Sequence, residues 1–380
     1  MKVHRSSRQK KNSSTVAVRF VPLLCAFAYC LALLALSPLI AQSPRPTALR
    51  ATGEAAGVLI GTAVDPSHLK EADYADTLRS EFSQVEPENA MKFGPIHPRP
   101  NSDPNPFDFR AADDLVSFAQ QNGMKVRGHT LLWHQQLSPW LTEGIKAGTF
   151  DAAALNSILQ NHIRMVMKHY SGKVYAWDVV NEAFNEDGTM RHTPWYDQPG
   201  IGVADQKTAY IEQAFRWAHE ADPAAKLFYN DYDTEQVNAK SDAIYQMASD
   251  FKSRGVPLSG IGFQLHVNLK FNDAQKLASF AANLKRFSDR GLEIHITELD
   301  VALDSPDPVN LAAQGELYHK IAQICLQTPA CKLIQTWGFT DKYSWIPEYS
   351  QHKQGWALPF DAEYKKKSAF AGILQALDEK

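Results

Sequence analysis

The sequence predicts an α/β protein built as a single (β/α)8 TIM barrel, and three observations carry the prediction. Eight strand-like apolar runs alternate with helical periods between residues 57 and 339. Gly123, Gly255 and Gly291 each close a polar helix end shortly before the next run, where a left-handed turn stops a helix. Nearly every run also ends in hydrogen-bonding or aromatic side chains. Alternating strand and helix units imply parallel strands, and eight of them imply closure. A doubly wound open sheet is the alternative, but no Gly-rich phosphate turn follows the first run.

In chain order the predicted strands are "GVLIGTAV" (57–64), "FSQVEPE" (82–88), "KVRGHTLLW" (125–133), "VYAWDVV" (174–180), "KLFYNDY" (226–232), "IGFQLHV" (261–267), "LEIHITELDV" (292–301) and "KLIQTWGF" (332–339). Helices fall between them. Leu155, Ile158, Leu159, His162, Ile163 and Val166 follow i, i+3, i+4, i+7 spacing, as do Ile211, Ala214, Phe215 and Ala218.

The chain has 380 residues, 44% hydrophobic and 21% charged, enough for a large core. Length alone allows two or three domains, but no composition break follows the N-terminal region, so one domain over 54–378 is expected. The net charge is −3 and no Lys/Arg-dense face follows the first twenty residues, which argues against a nucleic-acid partner. A basic stretch free of acids precedes the apolar "FVPLLCAFAYCLALLALSPLIA" (20–41). This reads as a signal peptide over 1–41 with cleavage after Ala41, or as an uncleaved membrane anchor. Either places the rest outside the cytoplasm, secreted or periplasmic, with no membrane contact once a signal is removed. A Pro/Ala/Gly-rich linker is expected over 42–53. Cys325 and Cys331 remain as an even pair in the mature chain, and an oxidising compartment favours a disulfide between them. A monomer is the default.

Barrel chemistry sits at the C-terminal strand ends. Here those ends carry Glu88-Asn89, His129 with Trp133-His134, Asn181-Glu182, Asn230-Asp231-Tyr232, Gln264 with His266, Glu298 with Asp300, and Trp337. Burying a bare carboxylate is costly, so Glu182 and Glu298 at two apolar strand tips point to use. The fourth and seventh strands face one another across an eight-stranded barrel, and paired carboxylates suit glycoside hydrolysis. The plain alternative is a structural ion pair with a Lys or Arg inside the barrel.

"ENAMKF" (88–93), "GHTLLWHQQLSPWL" (128–141), "WDVVNEAF" (177–184), "GFQLHV" (262–267), "ITELDV" (296–301) and "WGFTDKYSW" (337–345) resemble a glycoside hydrolase family 10 endo-β-1,4-xylanase. The resemblance spans about residues 54–376, and six motifs in order make it specific. It implies Glu182 as general acid/base and Glu298 as nucleophile of a retaining enzyme. The acid must carry a proton near neutral pH, which burial and the ionised Glu298 favour. Asn181 would bond the sugar 2-hydroxyl, His266 would touch Glu298 and be oriented by Asp300, and Gln264 would complete that shell.

By the same resemblance, Glu88, Asn89, Lys92 and Gln136 hold the xylose on the non-reducing side. His129 and Trp133 wall the subsite of the cleaved sugar. Trp337 and Trp345 roof it, and a close Trp345 would admit xylose and resist the hydroxymethyl arm of glucose. Asn230 and Tyr232 fall on the leaving-group side. Position 93 departs from the family in carrying Phe where members often carry Trp, so a different outer wall is expected. Trp356 has no assigned role. No cofactor or metal is expected. Rival readings are a β-1,4-glucanase on a kindred barrel, a non-catalytic glycan-binding barrel, and a metal-dependent hydrolase using His129, His134, His266, His295 and Asp300. No HxH or HExxH spacing supports the last.

Overall fold

Parallel strands form where each expected run lies: β1 (Leu59–Val64), β2 (Gln84–Pro87), β3 (Lys125–Leu132), β4 (Ala176–Asn181), β5 (Lys226–Asp231), β6 (Gly260–Phe263), β7 (His266–Asn268), β8 (Glu293–Ala302) and β9 (Cys331–Thr336). These come from a computed structural model that describes residues 47–380, together with positions 15 and 17. The rest of the expected signal or anchor over 1–41 lies outside the described residues. Pairing runs in chain order from β1 to β6, then β6 to β8, β8 to β9 and β9 back to β1, which closes an eight-stranded barrel.

β7 is the departure from the expected eight runs. The predicted strand 261–267 breaks at Leu265, whose φ of 61° is left-handed. Beyond the break, β7 pairs only with the outer end of β8, in the register His266↔Asp300. Glu235 stabilises the break by accepting the Leu265 N–H at 3.0 Å. A hydrophobic pattern carries no sign of such a break, because the residues on both sides of it still read as strand.

Alternation along the strands sends one set of side chains outward to the helices and the other into the barrel. The outward set is apolar, with Ile60, Val85, Val126 and Ile294 buried. The inward set is largely polar. Arg127 is fully buried, with Nε 3.1 Å from Glu86 Oε2 and 3.1 Å from Asp178 Oδ2. His295 Nδ1 lies 2.6 Å from the same guanidinium. Buried charge survives only when paired, and here one cation lies between two acids. Gly128 makes room for Trp177 of the next strand, since a Cβ there would lie 2.2 Å from the indole.

The structure shortens the expected linker. A helix spans Leu49–Ala56, with Leu49 buried and its N–H donated to Glu81 Oε2 at 2.9 Å. Gly57 stops it in the left-handed region, at φ 76°. This helix belongs to the compact unit Pro46–Lys380. An Ala/Gly-rich stretch reads as a tether, yet small residues are what allow a helix to lie close against its neighbour: a Cβ on Gly53 would meet Ile60 at 2.6 Å. Cys325 and Cys331 are joined as a disulfide between the helix Pro308–Gln327 and the start of β9.

Candidate active site

Glu182 stands one residue beyond β4, and its carboxylate accepts three hydrogen bonds. Trp133 Nε1 donates to Oε2 at 2.8 Å, while Gln264 Nε2 and Asn181 Nδ2 donate to Oε1 at 3.0 and 3.1 Å. A carboxylate offers about four acceptor positions, so one remains on Oε2. The residue itself is left-handed, at φ 57°.

Glu298 lies inside β8, 4% exposed. Asn230 Nδ2 donates to Oε1 at 2.8 Å, and His266 Nε2 lies 3.0 Å from Oε2. The other nitrogen of that ring, Nδ1, lies 2.8 Å from Asp300 Oδ2. Burial alone would push the Glu298 carboxyl upward. The His266 hydrogen bond, the fields of His129 and His266, and the Asn230 hydrogen bond outweigh it and hold the group below the usual carboxylate range. Burial disfavours a charged His266, but Asp300 and Glu298 reverse that and raise it well above the ordinary imidazole value. The result is an imidazolium between two carboxylates.

Asn230 occupies a place that the resemblance did not assign. Expected on the leaving-group side, it lies between the two acids, donating to Asn181 Oδ1 at 2.9 Å as well as to Glu298. Thr297 Oγ1 donates to its side-chain Oδ1 at 2.7 Å. The cause is register: Asn181 pairs with Asn230, and Asn230 with Gly262, whose missing side chain leaves the space that Asn230 fills.

The expected glycone residues come together. Lys92 Nζ and Gln136 Nε2 both donate to Asn89 Oδ1, at 3.0 and 3.2 Å. The Lys92 ammonium also lies 4.8 Å from the Trp133 ring centre and 5.5 Å from that of Trp337, within cation–π range. Burial lowers the Lys92 pKa against the pull of Glu298, Glu88 and Glu182. Burial raises that of Glu88. His129 Nδ1 bonds Asp178 Oδ2 at 3.0 Å, and its ring meets Trp337 edge-on. Trp345 donates to Asp300 Oδ2 at 2.9 Å and lies against His266, with ring centres 4.9 Å apart. Tyr232 stands apart from the two acids: its hydroxyl accepts from Arg191 at 2.8 Å and donates to Glu186 at 2.7 Å, and Lys240 lies 3.5 Å from its ring centre.

One expectation needs correction, and one rival reading loses its ligand set. Phe93 is no part of a sugar wall. It is buried among His162, His97, Trp140 and Trp195 as part of the core. The ligand set imagined for a metal hydrolase is also dispersed. His266 is committed to Glu298 and Asp300, and His295 lies in the barrel interior between Arg127 and Glu293. Glu86, His129 and Asp178 do converge, with ligand atoms within 4.8 Å of one another, but the Arg127 guanidinium supplies the positive charge among them. Trp356 is exposed, and its carbonyl accepts from Gln314 and Lys367.

Sequence reasoning missed Arg191 and Trp195, both in the long segment after Glu182. Trp195 Nε1 donates to the Trp133 carbonyl at 2.8 Å, and Arg191 grips the backbone around Glu182. Neither lies in a periodic element, so no pattern announced them.

A barrel mouth that holds one carboxylate ionised and presents a second on neutral donors, between aromatic walls and amide groups, defines a glycoside-hydrolase site. The profile described as "Glycosyl hydrolase family 10" matches residues 48–376. The chain is 41% identical over 337 residues to "Endo-1,4-beta-xylanase B" of Thermotoga neapolitana, covering 87% of this chain and 92% of that one. Among solved structures it is similar to native xylanase 10B from Thermotoga maritima, at 42% identity and a TM-score of 0.80, over 87% of this chain and 98% of that one. It is equally similar to xylanase 10B from Thermotoga petrophila RKU-1 in complex with xylobiose, at 41% identity and a TM-score of 0.81, over 89% and 99%. The chain belongs to glycosyl hydrolase family 10.

Proposed function

We propose that this chain is an endo-1,4-β-xylanase that cuts internal xylosidic bonds of xylan with retention of configuration. One observation carries the reading. A continuous hydrogen-bonded bridge runs from Glu182 through Asn181 and Asn230 to Glu298, so the two carboxylates are set against the same substrate atoms by one network. Carboxyl groups about 5–5.5 Å apart act by double displacement and those about 6.5–9.5 Å apart by inversion; retention is the course that the family resemblance implies.

In the first step Glu298, ionised and held by His266 and Asn230, attacks the anomeric carbon. Glu182 gives its proton to the departing glycosidic oxygen through the position left open on Oε2. A covalent xylosyl-enzyme forms and the leaving chain departs with a free hydroxyl. In the second step Glu182, now a carboxylate, takes a proton from water as that water attacks the same carbon. Glu298 leaves, and two inversions restore the configuration. Asn181, already bonded to both networks, bonds the 2-hydroxyl as charge develops. Trp345, anchored on Asp300, limits the space above the sugar and favours xylose over glucose. The basic and apolar N-terminus supports export.

The test compares reducing-sugar release from glucuronoxylan and from carboxymethyl-cellulose, for the chain and its Glu298→Ala variant, with the first product anomer followed by NMR. Release from xylan as the β-anomer, little from cellulose, and none from the variant is expected. An α-anomer as first product would replace double displacement with inversion. Comparable release from cellulose would replace the xylanase with a glucanase.

A further inference from the structure

Glu182 has a left-handed backbone, which a non-glycine residue adopts only under strain. Such a conformation persists only where surrounding contacts over-determine it. Its own N–H donates to the Asn230 carbonyl at 3.0 Å. On the other side, a single residue holds three successive carbonyls. Arg191 Nε donates to Glu182 O at 3.1 Å, its backbone N–H to Ala183 O at 2.9 Å, and its guanidinium NH2 group to Phe184 O at 3.1 Å. That NH2 group also donates to the Tyr232 hydroxyl at 2.8 Å, which ties the grip to the end of β5. The next peptide is held from below: Ala183 N–H donates to the Tyr229 hydroxyl at 2.9 Å, which in turn donates to the buried Asp231 at 2.5 Å.

No hydrogen bond or ion pair joins the Arg191 guanidinium to the Glu182 carboxylate, whose donors are Trp133, Gln264 and Asn181. We infer that Arg191 is a positioning residue for the proton-transfer step, holding the left-handed Glu182 backbone so that the carboxyl is aimed at the leaving oxygen. This rests on Glu182 being the acid/base. A flat guanidinium reaches two carbonyls and a hydroxyl from one fixed plane, and an ammonium has no such fork. When the clamp is lost, the residue relaxes toward an ordinary backbone and its carboxyl swings off the line of transfer. Glu298, held by other residues, stays in place.

The test uses the full chain and its Arg191→Met, Arg191→Lys and Tyr229→Phe variants, with Glu182→Ala as control. Each is assayed on xylan and on an aryl xylobioside bearing 2,4-dinitrophenolate, a leaving group that needs no proton. The parameter is kcat/KM, which reports the first step alone. Arg191→Met is expected to lose about tenfold to hundredfold on xylan, the scale set by a small misplacement of a reacting group, and less than about threefold on the aryl substrate. Arg191→Lys should recover little, and Tyr229→Phe should show the same split at smaller size. Equal loss on both substrates by folded Arg191 and Tyr229 variants, or no loss on either, overturns the proposal. If Arg191→Met does not fold, the Arg191→Lys and Tyr229→Phe ratios decide by the same criterion. If Glu182→Ala itself shows no split, the acid/base assignment fails instead, and the two failures are distinct.

Discussion

The His266 ring bridges two carboxylates, with Nε2 3.0 Å from Glu298 and Nδ1 2.8 Å from Asp300. A buried nucleophile would otherwise drift toward the neutral acid. Here the hydrogen bond and charge of the imidazolium hold Glu298 below its ordinary 4.5, so it stays ionised in mild acid. The acidic limb of kcat/KM on the aryl substrate should therefore fall below pH 4.5. His266→Ala should move that limb upward, measured as a pH–rate profile. A limb that stays put would remove the imidazolium as the cause. The stability signs follow. Glu298, depressed, contributes stability that is present above its unfolded value and lost as pH falls through its folded value. His266, raised, contributes stability that is present below its ordinary 6.5 and lost as pH rises through its raised value.

Asn230 separates a central role from a peripheral one. On the leaving-group side, its loss would raise KM for long substrates and spare short ones. Between Asn181 and Glu298, its loss removes one donor from the nucleophile and one from the 2-hydroxyl bridge. Asn230→Ala should lower kcat/KM by about tenfold to hundredfold on xylan and on the short aryl xylobioside alike, since donors to developing charge act at that scale. A loss confined to long substrates would restore the peripheral role.

How much of this was legible in the sequence depends on what each feature leaves behind. β1 to β6, β8 and β9 were readable because apolar runs and helix-stopping glycines are local. Both carboxylates are readable because each interrupts an apolar stretch where nothing else explains a charge, although Glu298 lies within β8 and only Glu182 stands at a strand tip. The break at Leu265 was not, since its cause is a carboxylate thirty residues earlier, Glu235, taking one N–H. The contacts of Asn230 to Asn181 and Glu298 are illegible for a similar reason: its place depends on the register of two neighbouring strands and on the absent side chain of Gly262. Arg191 acts through backbone carbonyls of residues close in sequence, and an isolated Arg in a loop has no pattern to mark it. The helix Leu49–Ala56 hid inside a composition that also builds tethers.

The disulfide gives a stability prediction from loop size alone. Cys325 and Cys331 are six residues apart, a small loop, and the chain-entropy relation assigns it about 2 kcal/mol. Reduction should lower Tm by about 3 °C in a chain of this size. Cys325 is fully buried, so a Cys325→Ala, Cys331→Ala variant should lose more than reduction does, by the contacts its sulfur makes. Calorimetry of the oxidised, reduced and doubly substituted chains separates the two terms. No shift on reduction would mean that the unfolded chain is already held close at this point.

Trp345 is asked to do two things, and they can be pulled apart. Its indole N–H donates to Asp300 at 2.9 Å and its ring lies against His266. The first contact helps fix the carboxylate that orients His266; the second face is the one proposed to crowd a glucose hydroxymethyl. Trp345→Phe keeps an aromatic ring and loses the donor. Trp345→Ala loses both. If crowding sets specificity, Trp345→Ala should raise the ratio of cellulose to xylan rates by about tenfold, the scale of a small apolar group in a pocket, while Trp345→Phe leaves that ratio within about threefold of wild type. Both variants lose the hydrogen bond to Asp300, so both should shift the acidic limb in the same direction as His266→Ala, by less. Parallel rate measurements on the two polymers, with one pH profile per variant, read both effects. An unchanged ratio in Trp345→Ala would assign selectivity to the remaining walls, Trp133 and Trp337, and leave Trp345 as a support for the imidazolium alone.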